Sequence, residues 1–536
     1  MATVKIADVR QAVRNGRRPG TSLPPGIRAA ALAVLCVSVL IANLDNTILN
    51  VALPTLVRDL HADSSDLQWI VDAYVIVYAG LLLSAGSLAD RIGRKRTFLA
   101  GLVLFAAGSA WAAFSGSVDL LIAARASMGI GGALMIPSTL SIITDMYRHP
   151  AERQRAISLW AATTGLGVAL GPIIGGLLLA HFWWGSVFLV NVPIAIAGLA
   201  AGAWLVPDSR DPGALAPDLT GAVASIAGIG LVLWAIIEGP TKGWSSATVL
   251  AVGAAGLAVL AGFVALQRFS AHPMLQLGFF RDRAFGAAIP AVATVSFGLY
   301  GALFVLTQFL QFSLGYSPLA AGVRVLPAAA AVVVIAPLSA VGVRFLGPKV
   351  TMASGLALIA AGLWLVSGIT VSTGYSGIVA GMVLLGAGAG LALPTSSGSA
   401  VGSVPREHAG VASATNTTAI QVGGAVGVAV VGSLLSTRYS DDITASMSRA
   451  VASGQAGAAG QHLPPAAMTA IQGSLGEALA VAARLPGVTG QLLAQAARSA
   501  FASGVDLGML AASGVALGGL MIALIWLPRR ARLPSG

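Results

Sequence analysis

Asp45, Asp72 and Arg125 are ionisable residues set inside long apolar runs of a 536-residue chain. A carboxylate or guanidinium in hydrocarbon costs at least about 2.5–3.5 kcal/mol, so residues of this kind mark places where charge or a proton is used. Desolvation and a nearby guanidinium act in opposite senses on a carboxyl group, the balance that reversible protonation needs. Asp45 lies about 24 Å along its run from Arg28, while Asp72 and Arg125 lie about 7 Å and about 12 Å from the outer ends of theirs. Two further sets carry mechanical chemistry. Gly86, Asp90, Arg91, Gly93, Arg94 and Lys95 crowd a short segment between apolar runs. There glycines permit tight turns, and Asp90 offers a carboxylate to basic side chains or to a helix N-terminus. Gly167, Gly171, Pro172, Gly175 and Gly176 stand on one apolar run. In it the proline removes a backbone donor, and the glycines let a second helix approach closely.

The elements that position these residues are spanning helices. The chain is 56% hydrophobic and only 10% charged, against roughly 25% charged in soluble domains. Apolar stretches recur from Ala29 to Leu527, each of about 20 residues or more and able to cross a core of about 30 Å. The 66 glycines suit close helix packing in lipid. The fold class is all-α and polytopic, with about fourteen spans; among them are 317–342, 350–371, 409–435 and 505–527. The basic leader up to Arg28 runs into about 25 apolar residues with no Ala-x-Ala cut, as in an uncleaved first span.

Lys and Arg concentrate in cytoplasmic loops. With both termini inside, the cytoplasm receives the leader, the cluster Arg91, Arg94, Lys95 and Arg96, then Arg148, Arg153, Arg155, Arg210, Arg268, Arg281, Arg283, Arg344, Lys349, Arg406 and the terminal Arg529, Arg530 and Arg532. "LMIPSTLSI" at 134–142 echoes "LALPTSSGS" at 391–399, and "HPAERQRAIS" at 149–158 echoes "VPREHAGVAS" at 404–413. A duplicated 6+2+6 plan accounts for these offsets. It divides the chain into a leader at 1–28, a six-helix bundle at 29–206, two additional helices with a cytoplasmic linker at 207–284, and a second bundle at 285–536. The Ala-, Gly- and Ser-rich stretch 437–504 within that second bundle is expected outside, as a short lid helix or a passive linker. Glu238 and Asp506 stand at span ends, Arg324 can snorkel, and Trp69, Tyr74, Trp183 and Trp184 are expected in interfacial belts.

Other chemistries find no support. The net charge of +11 is dispersed in short clusters between apolar runs, which suits a membrane surface and not nucleic acid. Cys36 is alone, so neither a disulfide framework nor a Cys-based metal site can be built, and the six histidines form no H-E-x-x-H pattern, which leaves metalloprotease chemistry without support. No G-x-x-x-x-G-K-[ST] loop occurs to cradle a nucleotide.

The segment Gly86-Ser87-Leu88-Ala89-Asp90-Arg91-Ile92-Gly93-Arg94-Lys95 resembles the G-x-L-A-D-R-x-G-R-K signature of the major facilitator superfamily. Gly167 to Gly176 resembles that superfamily's antiporter signature. Leu44 to Pro54, reading LDNTILNVALP, and "GYSPLAAGVRVLP" at 315–327 are similar to its fourteen-span drug:proton antiporters. Met128 stands where the family's R-x-x-Q-G pattern has glutamine. The resemblance implies a cytoplasmic latch around Asp90 that holds the outward-open state, and export in place of uptake. It also implies a monomer in the cell membrane with no cofactor, driven by the proton gradient and moving small amphipathic drugs, cationic or neutral. Rival readings keep the fold but carry a lipid, a siderophore or an antibiotic made by the same cell, or make the chain a receptor or sensor.

Overall fold

The computed structural model describes residues 24–210, 217–270, 273–405, 408–453, 464–485 and 487–528. Most of the basic leader, Arg406, Arg529, Arg530 and Arg532 lie outside them. Among the described residues the regular elements are all helical, and 12 of the helices are long and apolar enough to cross a membrane. Lipid offers no partner to backbone N–H and C=O groups, so each spanning segment must satisfy its own. Polar residues at the ends start the helices. Asp63 and Asp66 form a reciprocal cap, with Asp63 Oδ1 accepting from the Asp66 amide at 2.9 Å and Asp66 Oδ2 from the Asp63 amide at 3.0 Å. Ser117, Asp218, Ser246, Asp282 and Ser317 cap others, each side chain accepting from a first-turn backbone amide.

Six helices pack together first: α1 (Pro25–Leu60), α2 (Ser64–Ile92), α3 (Arg94–Ala113), α4 (Val118–Met146), α5 (Pro150–His181) and α6 (Ser186–Leu205). Next, α7 (Leu219–Lys242) and α8 (Ala247–Phe269) pair with each other. The second half contains α9 (Arg283–Gln308), α10 (Pro318–Ser367), α11 (Tyr375–Gly402), α12 (Ala409–Ala452), the short α13 (Pro465–Gly473) and α14 (Leu475–Arg484), and α15 (Gly487–Trp526). Helix α10 merges the runs expected at 317–342 and 350–371, and breaks at Gly347, whose φ of 82° and ψ of 164° lie outside helical space.

Two boundaries differ from the sequence reading. The run at 409–435 continues as a helix to Ala452, and the run at 505–527 begins at Gly487. Falling hydropathy marks the edge of the lipid, whereas an Ala-rich sequence keeps its helix beyond it. The described residues of 437–504 are therefore largely extensions of the two flanking helices, together with α13 and α14. Their seat is built from both halves. Tyr439 Oη of α12 donates to Ile471 O at 2.9 Å, Ser64 Oγ of α2 donates to Gly473 O at 2.9 Å, and a side chain at Gly476 would strike Val57 and Phe312.

Contacts between the halves gather toward this lid end. Gln311 Nε2 donates to Val51 O at 2.9 Å, and Ser433 Oγ donates to Ile236 O at 2.7 Å beside Gln68. Helix α5 meets α10, with Pro172 O under Gly322 and Gly176 against Leu319. At the opposite, basic end the first residues of α5, Ala151 to Arg155, are exposed. Among the described residues, the hydrogen bonds between the halves lie toward the lid.

On the lid, burial, followed by the Asp63 carboxylate, raises the Glu477 carboxyl above its ordinary range; His61 opposes this and Asp66 adds to it. A carboxyl group raised in the docked state stabilises docking fully at low pH, and that contribution is lost as pH rises through the docked value. Hydrogen exchange in 465–485 is therefore expected to quicken with rising pH by more than the intrinsic amide rate, and Glu477→Gln is expected to remove the excess.

Candidate functional site

Arg125 is fully buried on α4, and Asp45 is 1% exposed on α1. Arg125 Nη1 pairs with Asp45 Oδ2, and its Nε donates to Ile70 O of α2 at 3.1 Å. The guanidinium lies 4.6 Å from the centre of the Tyr74 ring, a cation–π contact strengthened by desolvation. The other carboxylate oxygen, Asp45 Oδ1, accepts from Asn191 Nδ2 of α6 at 2.8 Å. The same amide group is 3.3 Å from Ser109 Oγ of α3. One ion pair thus ties together all of α1, α2, α3, α4 and α6. Met128 fills the place beside it, its sulfur 4.0 Å from Arg125 Nη1; the carboxylate partner comes from α1 instead.

Sequence reasoning found Asp45 and Arg125 but missed Asn191 and Ser109. The available signal was Asn191 itself, since an amide in an apolar run carries a desolvation cost that only hydrogen bonds offset. Tyr74 is a correction. Expected in an interfacial belt, it is fully buried beneath Arg125 and stacked on Tyr78 at 5.7 Å. Its neighbour in the pattern, Trp69, is only partly buried. Among the other expected interfacial residues, Glu238 pairs with Lys242 at 3.2 Å, and Arg324 stacks over Tyr316 at 3.8 Å.

Asp72 is not drawn into this cluster. It is fully buried on α2, sharing a helical stripe with Gln68 and Ile76. Ile76 packs with Leu233 and Ile237 of α7 and Ala425 and Ala429 of α12. Neither Asp72 oxygen has a hydrogen-bond partner among the described residues, so this state offers its negative charge no compensation.

The basic-end segment turns at Gly93, whose φ of 118° suits a residue without a side chain. Asp90 Oδ1 accepts from Arg94 Nε at 2.7 Å, Lys95 Nζ donates to Ala203 O at 2.8 Å, and Arg91 is exposed. Among the described residues, the segment's hydrogen bonds do not reach the second half, and a Cβ at Gly86 would meet open space. Helix α5 uses its pattern on two sides. Gly167, Gly171 and Gly175 lie against α1, where Thr47 Oγ1 is 3.3 Å from Gly167 O, while Pro172 and Gly176 meet α10.

Two packed sets of spanning helices, joined at one end and holding an ion pair sealed from lipid, define a multi-pass membrane transporter. The family model for the Major Facilitator Superfamily matches residues 35–428, and the chain belongs to that superfamily, one of transporters and not of enzymes. It is 39% identical to the multidrug efflux pump LfrA of Mycolicibacterium smegmatis over 91% of this chain and 94% of that protein. Its identity to the tetracenomycin C resistance and export protein of Streptomyces glaucescens is 34%, over 92% of this chain and 90% of the other. In fold it is similar to a bacterial homologue of the human lysosomal transporter Spinster in an inward-facing, unoccupied conformation. That likeness has a TM-score of 0.64 at 18% identity, covering 96% of this chain and all of that one.

Removing one member of a buried ion pair costs about 3–5 kcal/mol because the other is left uncompensated. Arg125→Ala should therefore lower the melting temperature sharply in detergent. Asp45→Asn combined with Arg125→Ala should recover part of the loss, since it removes the stranded carboxylate. Additive losses in a double-mutant cycle would show that the pair is not coupled.

Proposed function

We propose that the chain exports amphipathic drugs, cationic or neutral, in exchange for protons by alternating access. The observation that carries this reading is the sealed Asp45–Arg125 pair. Together the two charges are neutral, and the first half holds them cheaply only while both are present. A proton on Asp45 would leave Arg125 an isolated buried cation, so its arrival must be accompanied by movement of α1 relative to α4 and α6. Protonation thereby acts on the packing of a whole half, and Asp72 at the seam with α7 and α12 supplies a second carboxyl group sensitive to how the halves meet. The ionised pair, with the halves parted at the basic end, corresponds to the stage at which a proton has left and substrate can enter from the cytoplasm. In the opposite stage the Asp90 segment would close on the second half as a latch.

The same reading takes Pro150–His181 as a span and the two parts of α10 about Gly347 as two, which together with the other spanning helices gives the fourteen of the 6+2+6 plan. It divides the chain at 29–206, 207–284 and 285–536. It puts both termini in the cytoplasm, the lid outside, and a monomer in the plasma membrane with no cofactor beyond the proton gradient. A cargo made by the producing cell is a second reading, favoured by likeness to the tetracenomycin C resistance and export protein.

Asp45→Asn keeps the side chain's size while fixing it neutral. In proteoliposomes with an imposed pH gradient, the wild type should move ethidium against its concentration gradient, and the variant should be inserted but lose uphill transport. Undiminished uphill transport with an unchanged proton dependence would make Asp45 structural and move the search to Asp72.

A further inference from the structure

From Ile41 to Pro54, the middle of α1, only Asn43, Asn46 and Asn50 are partly exposed, and every other residue is buried. Spaced by three and four, they form one row along the helix. Each amide nitrogen bonds back into the helix: Asn43 Nδ2 to Val39 O at 2.8 Å, Asn46 Nδ2 to Ala42 O at 3.2 Å, and Asn50 Nδ2 to Asn46 O at 3.2 Å. A backbone carbonyl can only accept, so the nitrogen must be the inward atom and the amide oxygen the outward one. The row therefore presents its amide oxygens, with one of each amide's two N–H donors spent inside the helix.

The row's flanks fix the direction it faces. Asn43 lies against Gly167 of α5, and Asn46 stands near Tyr74 of α2. Helices α2 and α5 are the members of the first half that make its principal contacts with the second, through α12 and α10. A strip of α1 between them faces the seam of the two halves and not lipid, where unpaired amide oxygens would be costly. At the lid-side end of the row, Gln311 adds one more. Its Nε2 is spent on Val51 O, while its buried Oε1 has no partner among the described residues. Asp45 points elsewhere, sealed between α4 and α6, and Asp72 is fully buried. Neither carboxylate is presented along this strip.

Resting on the export reading, we propose that Asn43, Asn46 and Asn50, with Gln311, are the substrate-recognising face of the seam. Recognition there works through amide oxygens, so the site favours amphipathic molecules carrying N–H or O–H donors, and positive charge is secondary. Charge is handled by Asp45 and Arg125, which do not touch the cargo. Proton coupling and substrate selection then reside on different faces of one helix.

Two dyes separate donor recognition from charge recognition in the purified full chain: ethidium, a cation with two aromatic amines, and tetraphenylphosphonium, a cation with no donor. Asn46→Leu and Asn50→Leu remove an acceptor at similar size. Each should weaken ethidium binding about tenfold more than tetraphenylphosphonium binding, the scale of a lost buried hydrogen bond. Asn50→Gln, which retains an amide oxygen and controls for packing, should hold ethidium more tightly than Asn50→Leu. Equal weakening of both dyes, or no change in either, would overturn the acceptor row while leaving export intact. Failure of the wild type to move either dye under a pH gradient would instead defeat the export reading.

Discussion

The structure depends on an ion pair that lipid forbids and the fold permits. Neither Asp45 nor Arg125 could stand alone in the membrane, and each is bound to partners on neighbouring helices, with Arg125 Nη2 left without one among the described residues. Asn191, Ile70 and Tyr74 complete the arrangement, so the first half closes around a charge pair as a soluble domain closes around apolar side chains. A core of that kind is stable in one charge state and strained in another. In the proposed exchange, that property would let a single proton have consequences beyond its own site.

In the same proposal, helix α5 would carry those consequences across the molecule. Its glycines at 167, 171 and 175 let it sit on α1, the helix that bears Asp45, while Pro172 and Gly176 seat it on α10 of the second half. A shift of α1 cannot leave α5 in place, because close backbone contacts have no side chains to absorb it. The pattern that resembles an antiporter signature in the sequence is, in physical terms, a packing link between the helix that bears Asp45 and the seam.

Much of this was legible in advance. Apolar run lengths located the helices, and the depth of Asp45 and Arg125 singled them out because cost implies use. What stayed hidden was relational. Hydropathy states that Tyr74 can lie in an interface, but not that it will lie under a guanidinium. It registers Asn191 as a mild interruption, although that amide completes the carboxylate's hydrogen bonds. Helix ends were misplaced at Ala452 and Gly487 because loss of hydropathy and loss of helix are different events. The separation of Asp72 from the other two charges could not be read from depth, since depth gives height in the membrane and not direction around a helix.

The central claim is that the charge state of Asp45 sets which end of the molecule is open. Its most direct test is a distance measurement between spin labels at Arg155→Cys and Gly402→Cys, on the basic ends of α5 and α11, in a Cys36→Ala background. Acidification of the otherwise wild-type protein should shorten this distance as the basic end closes. With Asp45→Asn added, the short distance should dominate at every pH. A variant that retains the wild-type response to pH would contradict the account.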